Sequence, residues 1–177
     1  MVLLEPSRFS IEKFSESHLQ AVEGFDNQEK DLVDFLSEDA FENQKKGVSV
    51  TYLFFVQEEG LNALAGYITL LSDSIELKQN KELQHAFEDK HIGYRTLPAL
   101  KIGRMATHSR FQKRGVATAM VKFAISVALD TSMTVGCRFL IVDAKEAARG
   151  FYEKKGFRIF KEENSRPTQM YLDLFLK

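Results

Sequence analysis

The 177-residue sequence predicts a single α/β domain, and three stretches carry that expectation. Lys101 to Thr107 reads as a strand that passes through the basic turn Gln112-Lys-Arg-Gly-Val-Ala into a helix. From there Val116, Ala119, Met120, Phe123, Ala124, Val127 and Ala128 recur at helical spacing, giving one buried face. Val48 to Gln57 and Ala63 to Leu71 are rich in β-branched and aromatic residues and flank Glu58-Glu-Gly-Leu-Asn, the pattern of a hairpin. Cys137 to Val142 is almost continuously apolar, as expected of a strand covered on both faces.

The remaining elements follow from the same periodicities. Arg8 to Phe14 alternates well enough for a first strand, and Ser15 to Gly24 suits a short helix. Gln28 to Lys46 is a longer helix, with Leu32, Val33, Phe35, Leu36, Ala40 and Phe41 on one face and Gly47 as its stop. Ser72 to Pro98 is the least regular stretch. It is read as a functional excursion or a disordered connection, with a short helix from Lys81 to Lys90. Leu100 to Thr107 is the central strand, and Thr131 to Gly136 is a connection. Ala144 to Lys155 forms the last helix, closed by Gly156. Phe157 to Phe160 and Met170 to Leu176 make a terminal strand pair. No internal repeat, low-complexity tract or linker divides the chain, so one domain spanning residues 1–177 is expected.

Composition narrows the function. With 44% apolar residues the chain supports a substantial core. A formal net charge of -1 supplies no global basic field for nucleic acid. The single cysteine, Cys137, lies inside an apolar run and is expected to pack rather than react. A reducing cytoplasm is the expected compartment. Met1-Val-Leu-Leu is interrupted by Glu5 and Pro6, so no signal peptide is expected. No run is expected to reach the roughly 20 apolar residues of a membrane helix. No Cys/His or carboxylate cluster has metal-ligand spacing, and His85 and His91 are expected to be exposed polar residues.

The chemistry begins at the turn 112–117. A helix N-terminus offers unpaired N–H groups and the positive end of the dipole. Gly115 lets an anion approach the backbone closely, and Lys113 and Arg114 add full charges. A phosphate cradle is one reading; an ordinary strand-to-helix turn with solvated basic residues is the other. The pattern is neither G-x-G-x-x-G nor G-x-x-x-x-G-K-[ST], so dinucleotide and P-loop sites are disfavoured.

Gln112-x-x-Gly115-x-Ala117 resembles the pyrophosphate loop, Q/R-x-x-G-x-G/A, of the GNAT N-acetyltransferases, and it stands where that family places it, after a strand and opening a helix. Phe151-Tyr152-Glu-Lys-Lys-Gly156-Phe157 is similar to the family's F-Y-x-x-x-G-F segment. The resemblance implies a mixed central sheet of about six to seven strands flanked by helices on both faces, and acetyl-CoA as donor with CoA as product and no metal. It implies that Met105, Ala106 and Thr107 meet the pantetheine arm as an added strand would. Gln112, Lys113, Arg114, Gly115, Val116, Ala117 and Thr118 would hold the pyrophosphate. The N–H of Gly103 or Met105 would polarise the thioester carbonyl. Tyr152 would protonate the leaving thiolate, whereas without the motif it reads as a packed aromatic beside Phe151. For a general base, His108, Glu146 and a bound water remain open.

A finer resemblance runs through Phe25-Asp26, Leu32, Phe35-Leu36, Ala40, Gln44, Gly47, Thr51-Tyr52-Leu53, Ile102-Gly-Arg-Met-Ala and Val135-Gly136-Cys-Arg138. These follow the spacing of a GNAT subgroup of toxins that acetylate the α-amine of aminoacyl-tRNA and are encoded beside a DNA-binding antitoxin. Asn27 departs from the cysteine common there. Lys45-Lys46, Lys113-Arg114 and Lys154-Lys155 with Arg158 and Lys161 are the local basic patches available for tRNA phosphates. The resemblance thus implies an acetyltransferase acting on a primary amine, with aminoacyl-tRNA as acceptor and a ribbon-helix-helix antitoxin as partner. A small-molecule or peptide amine is the alternative acceptor, and a non-catalytic acyl-CoA-binding module the competing class. A homodimer is an open expectation, and no membrane partner is expected.

Overall fold

The computed structural model describes residues 4, 8–58, 60–88, 93–161 and 167–176. Seven strands form one sheet in the order β1-β2-β3-β4-β5-β7-β6. They are β1 (Phe9–Lys13), β2 (Val50–Glu58), β3 (Leu61–Glu76), β4 (Thr96–Thr107), β5 (Phe139–Ala144), β6 (Arg158–Lys161) and β7 (Thr168–Asp173). The sheet is mixed, because β4 and β5 run parallel while β1–β2, β2–β3, β5–β7 and β6–β7 are antiparallel. The helices are α1 (Leu19–Glu23), α2 (Lys30–Asp34), α3 (Ala40–Lys45), α4 (Lys81–Glu88), α5 (Val116–Thr134) and α6 (Glu146–Glu153). By compactness the chain divides into two units, Met1–Leu71 with Gly103–Ala124, and Ser72–Ile102 with Ile125–Lys177.

In the first unit the helix expected over 28–46 is broken by a π-helical turn, Phe35–Asp39, between α2 and α3. Tyr67 lies beneath it, wholly buried, and its hydroxyl donates to the Leu32 carbonyl at 2.7 Å. Leu36 and Ala40 still face the core with Phe14, Phe25 and Leu53, so the extra residue changes the helical hydrogen bonding without losing the apolar face. Gly47 and Val48 donate to the carbonyls of Gln44 and Asn43, the Schellman pattern that stops α3. Gln44 then bridges two strands, donating to Phe14 O at 2.7 Å and accepting from Thr51 N at 3.1 Å. Thr51 and Thr69 satisfy each other's buried hydroxyls at 2.8 Å.

The strand and helix that carry the basic turn are held by a close approach. A Cβ on Gly66 of β3 would lie 2.8 Å from the Ala106 carbonyl, 3.0 Å from Val116 Cγ1 and 3.3 Å from Met120 Cε. Only glycine lets β3 come this near both β4 and the start of α5. Phe123 of α5 packs edge-on against Tyr52 and Phe54 of β2, at 4.8 and 5.6 Å between centroids.

In the second unit the supposed excursion is mostly regular. β3 continues to Glu76, a 3-10 turn covers Leu77–Gln79, and α4 follows. The sequence hid this because α4 buries only Leu83 and Phe87, against Phe139, Ile141, Phe160 and Tyr171 among others. His85 is exposed and lies 3.6 Å from Glu88, whereas Lys90 and His91 fall outside the described residues. β4 starts four residues earlier than its expected first residue, Leu100, and includes Pro98, whose carbonyl accepts from Arg138 N at 2.8 Å. α5 extends through residues expected to form a connection. By length and composition alone its 19 residues could cross a membrane, as the core helix of a globular domain also could, although Lys122 and Asp130 interrupt the apolar run. Cys137 is buried and its thiol donates to Phe139 O at 3.4 Å. Burial pushes the thiol's pKa up, which suits a packing role.

Replacing Gly66 by alanine is expected to destabilise the protein by about 1–3 kcal/mol, because the obstructing atom is a backbone carbonyl. The shift in a urea unfolding midpoint measures it; an unchanged midpoint would show that the approach is not tight.

Candidate active site

The basic turn is a strained connection with three supports. After β4 a 3-10 turn runs Ser109–Phe111 and α5 begins at Val116. Between them Lys113 has φ 59 and Gly115 φ 96, two left-handed residues separated by Arg114. Such alternation turns successive backbone N–H groups to one side and makes an anion-binding concavity at the helix N-terminus. Gly115 bears its φ without a Cβ penalty, whereas Lys113 does not. Ala119 N donates to the Gly115 carbonyl at 3.0 Å, so α5 is hydrogen-bonded directly onto the turn. Gln112, Ala117 and Thr118 are half-buried, Val116 is buried, and Lys113 is exposed.

Arg114 is not the free phosphate ligand that its position suggests. Its Nη2 donates to Glu58 Oε1 at 2.8 Å, its guanidinium lies over the Phe111 ring at 5.3 Å, and its carbonyl accepts from Leu4 N at 2.8 Å. Arg110 Nη2 approaches Glu58 Oε2 at 2.9 Å, although Oε2 is enclosed and receives no hydrogen bond of good geometry. The hydrogen bond from Arg114 holds the Glu58 carboxyl below its usual range, and the charges of Arg114 and Arg110 act in the same direction. The exposed cation on the turn itself is Lys113.

β4 presents its residues alternately to two edges. His108 N donates to Ala65 O at 2.9 Å, and the Ala106 carbonyl lies close against Gly66, so these residues face β3. Gly103, Met105 and Thr107 therefore face the other edge, where the ladder with β5 ends at Ile102 opposite Val142. The Thr107 carbonyl on that edge accepts from Asn27 Nδ2 at 2.7 Å. Asn27 Oδ1 in turn accepts from Glu29 N at 2.8 Å, and Asp26 O accepts from Ser109 N at 2.9 Å. Asp26 and Asn27 thus strap the end of β4. Of the three residues expected to meet a pantetheine arm, Met105 offers main-chain groups on that edge, Ala106 is turned toward β3, and the carbonyl of Thr107 is occupied.

Tyr152 belongs to the second unit. Phe157 N donates to the Tyr152 carbonyl at 3.1 Å and Gly156 N to the Glu153 carbonyl at 2.9 Å, with Gly156 at φ 88. This Schellman cap explains the motif: Gly156 stops α6, and Phe157 folds back against Tyr152 at 5.3 Å, with Phe151 at 5.2 Å on the ring. Tyr152 is 5% exposed. Its hydroxyl makes no hydrogen bond among the described residues. Burial pushes its pKa up from 10.0 to about 12, keeping the phenol a proton donor at neutral pH.

The two side chains named as candidate bases make local contacts. His108 Nδ1 accepts from Arg110 N at 3.1 Å. That contact makes Nε2 the protonated nitrogen of the neutral ring. The ring is held edge-to-face by Phe25 and Phe111 at 5.6 and 5.8 Å. Glu146 is 85% exposed at the start of α6, 3.6 Å from Arg149. Among the described residues no group of three His, Cys, Asp or Glu could hold a metal ion. Of the basic patches, Lys45 is paired with Glu42 at 2.7 Å, and Lys155 sits 5.7 Å over the Phe151 ring. Glu58, Phe111 and Leu4, which fix the turn, carried no sequence signal, since Glu58 lies 56 positions from Arg114.

Substituting alanine at Gly115 places a Cβ at φ 96 and 3.4 Å from the Leu4 carbonyl. CoA affinity measured by calorimetry is expected to fall roughly tenfold; unchanged affinity would remove the turn from the cofactor site.

Residues 50–159 match the family model described as acetyltransferase (GNAT) domain. Three solved structures are similar to nearly the whole chain. A Tyr-to-Phe mutant of KacT is 24% identical with TM-score 0.80, covering 94% of this chain and 95% of that one. AtaT complexed with acetyl-methionyl-tRNAfMet is also 24% identical with TM-score 0.80, covering 93% and 94%. A Tyr-to-Phe mutant of the toxin AtaT, bound to the C-terminus of the antitoxin AtaR and acetyl-CoA, is 20% identical with TM-score 0.72, covering 94% of both. The mixed seven-stranded sheet, the capped tyrosine helix and the match over residues 50–159 place this chain in the GNAT acetyltransferase family, as an acyltransferase.

Proposed function

We propose that the protein transfers an acetyl group from acetyl-CoA to the α-amine of aminoacyl-tRNA, in the cytoplasm, with residues 1–177 acting as one catalytic domain. The observation that carries the transferase reading is the pair of left-handed residues, Lys113 and Gly115, at the N-terminus of α5. The acceptor reading is supported by the likeness in fold to AtaT complexed with acetyl-methionyl-tRNAfMet. The likeness to a toxin bound to an antitoxin's C-terminus supports an antitoxin partner, of the ribbon-helix-helix type.

The N–H groups of 113–118 bind the pyrophosphate. The free edge of β4 at Met105 pairs with the pantetheine arm, and an N–H of Gly103 or Met105 stabilises the oxyanion. The neutral amine attacks the thioester carbon, forming the C–N bond. As the C–S bond breaks, the thiolate takes the phenolic proton of Tyr152; the proton shed by the amine passes to water, and the Tyr152 phenolate regains a proton from water.

Tyr152→Phe is expected to lower kcat by about 10²–10⁴, while CoA affinity and the melting temperature stay close to wild type because the hydroxyl makes no hydrogen bond among the described residues. Since the raised pKa keeps the proton on the phenol, kcat should show no loss from its ionisation up to about pH 10; a basic limb near pH 8 would assign the acid elsewhere. Acetyl transfer from radiolabelled acetyl-CoA to charged tRNA, beside amino acids, polyamines and peptides, tests the acceptor. Label on tRNA that is lost on mild deacylation is the expected result. Label only on small amines or peptides would overturn the acceptor, and CoA binding without any transfer would overturn the chemistry.

A further inference from the structure

The residue that sets the cofactor turn lies outside it. Lys113 occupies the left-handed region at φ 59, where a side chain with a Cβ persists only if its surroundings over-determine it. The next residue supplies that determination. Arg114 is held through its carbonyl by Leu4 N at 2.8 Å and through its guanidinium by Glu58 at 2.8 Å. Its side chain also lies on Phe111, which is 2% exposed and gives a rigid floor. Glu58 ends β2, so the anchor stands on a strand rather than on another loop. Its second oxygen faces Arg110 at 2.9 Å, which places the carboxylate between Arg114 of the turn and Arg110 of the 3-10 turn before it.

We propose that Glu58 is a positioning residue for the cofactor: by fixing Arg114 it holds Lys113 left-handed, and so keeps the N–H groups of the turn facing one anion. The proposal rests on the reading of 112–118 as the pyrophosphate site. It opposes the simple electrostatic expectation, in which a carboxylate near an anion site, already engaging its arginine, weakens binding. The two accounts differ in sign. Removing the charge strengthens CoA binding if Glu58 only competes, and weakens it if Glu58 positions the turn.

Calorimetry of CoA binding to the full chain separates them, with wild type, E58Q, K113G and the double variant. E58Q is expected to weaken binding about fivefold. In the K113G background, where glycine adopts φ 59 without penalty, the same change should cost less than about twofold. A structural loss unrelated to the turn would not depend on residue 113. Tighter binding by E58Q, or a loss of equal size in both backgrounds, would overturn the proposal. If Gly115→Ala leaves affinity intact, the site reading fails. If that variant weakens binding and E58Q does not, only the role of Glu58 fails. Should E58Q not fold, Glu58→Asp carries the same comparison, with a shorter reach to Arg114 and an expected loss of the same dependence on residue 113.

Discussion

The first unit depends on the approach of β3 to β4 and α5 at Gly66. Because no side chain stands there, the Ala106 carbonyl, Val116 and Met120 all close onto one backbone position. That contact sets the height of α5 above the strand it follows, and therefore the geometry of the turn between them. Interiors are packed densely enough that such a position is not adjustable by small relaxations. The left-handed residues, the arginine anchored on Glu58 and the strap from Asn27 all act on a connection whose two ends are already fixed.

The parts legible in the sequence were those in which chemistry and local periodicity coincide. Gln112 to Ala117 announced a turn into a helix because α5's apolar spacing starts at once, and Gly156 with Phe157 announced the stop of α6. The terms that escaped are nonlocal. Nothing near Arg114 indicates that Glu58, at the tip of the β2–β3 hairpin, takes its guanidinium, and no pattern reveals that Ala106 faces β3. The stretch after Leu71 looked irregular because β3 and α4 bury only a few residues there, among them Ile75, Leu77, Leu83 and Phe87. The π turn in 35–39 was hidden for the opposite reason, since its apolar face survives the extra residue.

The finer resemblance has a structural explanation as well. Phe25, Leu36, Ala40 and Leu53 are core residues, Gln44 ties β1 to β2, and Thr51 is satisfied by Thr69. Arg138 is held by Asp173 at 2.7 Å and lies near the rings of Phe87 and Phe175. The contacts of these positions maintain the scaffold, so they describe a variant of the fold more directly than a substrate. Asn27 differs from them: it joins the start of α2 to the last residue of β4, next to the edge where Met105 is presented.

That bond also bears on how the chain folds. Asn27 and Thr107 are 80 positions apart, and Glu58 and Ala65 likewise meet partners from the other segment of the first unit, Arg114 and His108. Contacts of such long range form only after the intervening loops have been closed, at an entropic cost that slows folding. The first unit is assembled from two segments, so its cofactor turn cannot mature during synthesis of the N-terminal half. The turn 112–117 reaches its native geometry only once Gly103–Ala124 has docked on Met1–Leu71, so its shape is a property of the assembled unit and not of the local sequence.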